Sequence, residues 1–116
     1  MMNSRSGTGG RDVEAEIAQA ERGMDARSRS LWDHIRITAA QWGQRQYPDE
    51  SNRYSERFWV IAIMGTRCLY FNHVEAGWGW GRFTVWGNVS DYHWQQDKIE
   101  HVVAETLLAI DRGRAD

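Results

Sequence analysis

From Phe58 to Met64 the chain reads Phe-Trp-Val-Ile-Ala-Ile-Met, a run with no charged residue. Successive side chains of a strand point to opposite faces, so this run is apolar on both, the pattern of a central strand covered on two sides. Gly65-Thr66 follows, a two-residue connection with glycine first that suits a type II′ turn, and Arg67 to Phe71 returns as the paired strand. Few other folds are open to a segment built this way. The chain then connects through 72–77 to Trp78-Gly79-Trp80-Gly81-Arg82-Phe83-Thr84-Val85-Trp86, which holds three of the 7 tryptophans. As a third strand over 78–87, period two sends Trp78, Trp80, Arg82, Thr84 and Trp86 to one face and Phe83 and Val85 to the other. Trp86, nearest the sheet interior, is expected to be buried. Trp78 and Trp80, beside two glycines and the Glu75 loop, are expected to be more exposed.

Before the hairpin, Val13, Ile17, Ala20 and Met24 recur at helical spacing, with Asp12, Glu14, Glu16 and Glu21 elsewhere on the wheel. Leu31, Ile35, Thr38 and Trp42 continue the phase, with Trp32 and Ala39 beside them, so helix is predicted from 11 to 46. Unbroken, it would be about 54 Å long at 1.5 Å per residue, longer than a domain this size is wide, so a break is expected near 23–28. Pro48 ends the helical region. A C-terminal helix is predicted over 91–112, capped by Ser90 or Asp91, with Ile99, Val102, Val103, Thr106, Leu107 and Ile110 on the face begun by Tyr92 and Gln96. The predicted fold class is α+β: helices 11–46, a three-stranded antiparallel meander (57–64, 67–72, 78–87) and the last helix, in two layers. Residues 1–10, polar and glycine-rich, are expected to be a disordered tail, and 11–116 a single domain.

Composition narrows the function classes. Of the 14 Lys and Arg only Lys98 is lysine, and the formal net charge is −2, which disfavours a dedicated nucleic-acid binder. The single cysteine, Cys68, rules out an intrachain disulfide and a cysteine zinc site; it is expected to be a buried structural thiol in a cytoplasmic protein. No apolar run approaches the roughly 18 residues of a membrane span, so no membrane partner is expected.

Several residues are candidates for chemistry. His93, Asp97 and His101 fall at i, i+4 and i+8 on the predicted last helix, a line that would share a metal only with ligands from elsewhere, so no cofactor is expected. His73 and Glu75, two residues apart, have the chemistry of a base and its orienting acid. With His93 and His101 they define the alternative reading, a small metal-dependent or acid/base enzyme. No enzymatic activity is expected in the preferred one, because no nucleophile motif is present. A third reading pairs the Val13, Ile17, Ala20, Met24 stripe with its copy in a homodimer, making the chain a self-associating structural module.

Trp59 to Ile61, Gly65, Leu69 to Asn72, Val74-Glu75-Ala76-Gly77-Trp78, Gly87-Asn88-Val89, and Tyr92 with Gln96-Asp97 together resemble small bacterial toxin-immunity proteins, over less than half of the chain. The resemblance implies a small cytosolic domain that neutralises a cognate toxin by occluding its active site, with Glu75, Asp91 and Asp97 as carboxylates that would meet a basic nuclease. The expected function is therefore a protein-binding inhibitor whose contact residues are Trp78, Trp80, Arg82, Glu75, Tyr70, Asp91, His93 and Asp97. Tryptophan and arginine are the residues that dominate protein-binding hot spots.

Overall fold

The computed structural model describes residues 12–44, 58–72, 76–91 and 97–113. The expectations for the 1–10 tail, Pro48, His73, Glu75, Tyr92, His93 and Gln96 lie outside the described residues. Among those described, the chain forms α1 (Val13–Arg22), α2 (Ala26–Ile35), β1 (Arg36–Gln44), β2 (Phe58–Met64), β3 (Arg67–Asn72), β4 (Gly77–Arg82), β5 (Asn88–Val89) and α3 (Ile99–Asp111). The α+β class holds. The finer architecture differs from the expectation in four places and at the end of β4.

The helical region breaks at Gly23 to Asp25, inside the predicted window. Asp12 caps α1 by accepting from the Ala15 N–H at 3.0 Å, and Asp25 caps α2 by accepting from Ser28 at 2.8 Å. Each satisfies a donor that a helix start leaves unpaired. Val13, Ile17 and Ala20 bury in the chain's own core, and Met24 packs against it. A second copy would reach the stripe only by displacing that packing. Glu21 joins α1 to the elements after it, accepting from Trp32 Nε1 at 2.8 Å and Arg36 Nη1 at 2.7 Å.

The first correction concerns 36–44, predicted as part of the helical region. From Arg36 the chain is strand β1, which pairs antiparallel with β2 through Arg36↔Ala62, Ala40↔Val60, Gln41↔Trp59 and Trp42↔Phe58. The physical reason lies in β2. In a three-stranded meander β2 would be an edge, leaving half of its backbone donors and acceptors unpaired within an apolar run, and buried backbone groups must be bonded. β1 supplies those partners. The register shift between Arg36 and Ala40 puts Ile37 and Ala40, three positions apart, on one face of the strand: both pack with Trp42 on the opposite core, while Ala39, like Ile35 at the end of α2, packs on the helix-side core.

The second correction is to the sheet. It has five strands in the order β4-β3-β2-β1-β5, antiparallel except for the parallel pair β1–β5 (Gly43↔Asn88, Gln44↔Val89). The β2–β3 hairpin is as predicted, with Met64↔Arg67 closing it and Gly65 at φ 66°, a positive φ that glycine adopts at least cost. A second shift between Val60 and Ala62 turns both Ile61 and Ala62 toward the helices.

The third correction removes the simple two-layer arrangement. One core lies between the helices and the sheet and includes Ile17, Trp32, Ile61, Leu69, Trp78 and Val103. A second lies on the opposite face, made of Trp42, Phe58, Val60, Cys68, Tyr70 and Val89. The sheet curls around it, because one short stretch meets both sheet ends: Asn88 and Val89 pair with β1, and Asp91 bridges Arg82 of β4. The Arg82 N–H donates to the Asp91 carbonyl at 2.7 Å and the Ser90 N–H to the Arg82 carbonyl at 2.9 Å. Gly81 makes the closure possible. A Cβ there would stand 2.8 Å from the Asp91 carbonyl oxygen and 3.1 Å from Tyr70 Cε1.

The fourth correction moves the start of the last helix from Asp91 to Ile99. The backbone carbonyls of Asp91 and Asp97 instead accept from Arg82 and Trp78 on the outer edge of β4, the latter at 2.9 Å, so both residues serve the sheet rather than a helix cap. α3 then buries Ile99, Val102, Val103 and Thr106 of the predicted face, whereas Leu107 is half-buried and Ile110, in the last turn, is exposed. Arg27 Nη1 and Nη2 donate to the Asp111 carboxylate at 3.0 and 2.9 Å, fastening the end of α3 to the start of α2.

Candidate functional site

β4 ends at Arg82, five residues short of the predicted strand end, and the chain turns across the open side of the curl. Val85 and Asn88 form an isolated bridge, with the Asn88 N–H donating to the Val85 carbonyl at 3.1 Å. Gly87, at φ 95°, takes the position of a tight turn where a side chain would be strained. The Gly43 N–H donates to the Gly87 carbonyl at 2.9 Å, tying the turn to β1. This geometry puts Trp86 at the apex.

Trp86 is 63% exposed and Val85 44%, while Trp42 beneath is 3% exposed. Trp86 is nonetheless held. Its ring lies 5.0 Å from Trp42 in a tilted contact and 5.8 Å from Phe83 in a perpendicular one, and Trp42 and Phe83 meet edge-on at 5.2 Å. Such pairs are each worth about 0.5–1.5 kcal/mol beyond burial. Arg82 and Asp91, backbone-paired at the base of the turn, are both exposed. The result is a fixed aromatic apex with one cationic and one anionic side chain at its foot.

The expected order of exposure among the tryptophans is thus reversed, and Trp86 joins Phe83 rather than the Trp78 and Trp80 face. Trp78 is buried at 4% exposure, edge-on to Phe71 at 5.4 Å. Trp80 is half-buried; its Nε1 donates to Thr106 Oγ1 at 2.9 Å, and the Arg67 guanidinium lies 5.5 Å from its ring. Thr106 in turn donates to the Val102 carbonyl at 2.8 Å, so the indole is latched to α3. The reason is that α3 crosses the face on which period two places Trp78 and Trp80. Tyr70, predicted to touch a partner, is buried inside the curl against Phe58 at 5.1 Å. Of the predicted contact residues the structure brings Arg82 and Asp91 together at the apex. It sets Asp97 apart at the head of α3, and Glu75 and His93 lie outside the described residues.

The metal line is also changed. Asp97 precedes α3 and stands 3.7 Å from His101, and among the described residues no group of three His, Cys, Asp or Glu side chains is placed to hold an ion. Cys68 is buried as expected, and burial pushes its thiol up to about 12, which keeps it protonated and unreactive at neutral pH. No described helix is long and apolar enough to cross a membrane.

Two concavities flank α3. One, of about 430 Å³, lies between α1 and the head of α3 and is lined by Ala15, Glu16, Ala76, Trp78, Asp97 and Lys98 among others. The other, of about 260 Å³, lies between Trp80 and Glu105 and shares Asp97. The exposed apex is the feature that sequence reasoning missed. A signal for it was present in Trp86-Gly87-Asn88, since a Gly-Asn pair favours a turn and a residue just before it sits at a tip. Comparison of the chain with family models, curated proteins and solved structures found no match.

Proposed function

We propose that the chain is a protein-binding module that engages its partner through the 82–91 stretch, with Trp86 as the anchor and Arg82 and Asp91 as its charged flank. The observation that carries this reading is a tryptophan 63% exposed yet fixed by two ring contacts and a tight turn. Exposed tryptophan beside arginine is the composition of binding hot spots. Fixing the ring in advance lowers the entropy cost of ordering it on association. An inhibitor that occludes a toxin is the specific form of the proposal to which the resemblance to immunity proteins leads. In that form Asp91, at the foot of the apex, faces the basic surface of the toxin.

The test is capture of the partner by the full-length chain, followed by affinity measurement with Trp86→Ala and Trp80→Phe. Loss of a hot-spot anchor costs at least about 2 kcal/mol, so binding by the Trp86 variant should fall roughly 30-fold. Trp80→Phe should leave affinity within a few-fold. Equal affinity for wild type and the Trp86 variant would remove the proposal.

A further inference from the structure

We draw no further inference here: the strongest candidate, the groove of about 430 Å³ between α1, the start of β4 and the head of α3, is lined by Glu16, Asp97 and Lys98 together with Trp78 and Ile99, a mixture of both charges and apolar surface that selects no ligand class, and nothing in the structure shows what covers it.

Discussion

Trp78 and Trp86 stand eight positions apart in one aromatic stretch and have opposite fates, the first 4% exposed and the second 63%. Strand alternation alone would place them on the same face. The difference comes from what crosses each of them. α3 lies over β4 and closes on Trp78 and Trp80, whereas beyond Arg82 the chain leaves the strand to close the curl, and its turn lifts Trp86 into solvent. Composition therefore located the region of interest, and the covering element decided which indole serves the core and which the surface.

The largest test of this contrast is a pair of truncations. Trp78→Ala empties a packed site and should cost about 3–5 kcal/mol in urea unfolding, against about 1–3 kcal/mol for Trp86→Ala, which loses two ring contacts at an exposed position. Equal costs would break the comparison. Gly81→Ala comes next. The new methyl would press on the Asp91 carbonyl and the Tyr70 ring, so the closing stretch must shift, at about 1–3 kcal/mol, with loss of hydrogen-exchange protection at the Arg82 amide. Protection unchanged at Arg82 would mean that the sheet closes without this contact. Trp80→Phe keeps most of the ring but removes the donor to Thr106, an effect of about 1 kcal/mol that sharpens the distinction between latched and merely covered indoles.

The smallest effect is that of pH on the exposed ion pair that links the end of α3 to the start of α2. The Arg27 guanidinium, by hydrogen bonding and by charge, holds the Asp111 carboxyl below its usual value. A depressed folded pKa contributes stability that is complete above the unfolded value of about 4 and is lost as pH falls through the folded value. The Tm advantage of wild type over Asp111→Asn should therefore be constant from pH 7 to about 5 and shrink below pH 4. An advantage that persists unchanged at low pH would show that the pair does not couple α3 to α2.

The parts of the fold that sequence reasoning reached are those where one local signal had one structural solution. Gly65-Thr66 admits a hairpin, a helical pattern longer than the domain is wide admits a break near 23–28, and the α3 stripe from Ile99 to Thr106 admits one buried face. β1 is hidden because Ala39 and Trp42 continue the spacing of Ile35 at the end of α2, and the register shift puts Ile37 and Ala40 on one face at a separation that also fits a helix. The correcting signal is non-local: a strand apolar on both faces requires a hydrogen-bonded neighbour on each side, and a three-stranded meander gives Phe58–Met64 only one. The head of α3 was misplaced for a similar reason, since Ser90 and Asp91 are good cap residues whose backbone is instead engaged by β4. At the candidate site, Arg82 and Asp91 were named from the sequence, but Tyr70, Trp78 and Trp80 were assigned to a surface that α3 and the curl enclose. Local pattern does not report which distant element will pass over a residue.

The most direct test of the contrast is the solvent accessibility of individual indoles, measured by NMR as the broadening of tryptophan ring protons by a soluble paramagnetic agent. The ring protons of Trp86 should be the most strongly broadened of the three, with those of Trp78 largely spared and those of Trp80 in between. Strong broadening at Trp78 with protection at Trp86 would contradict both the covering role of α3 and the choice of Trp86 as the anchor of a binding surface.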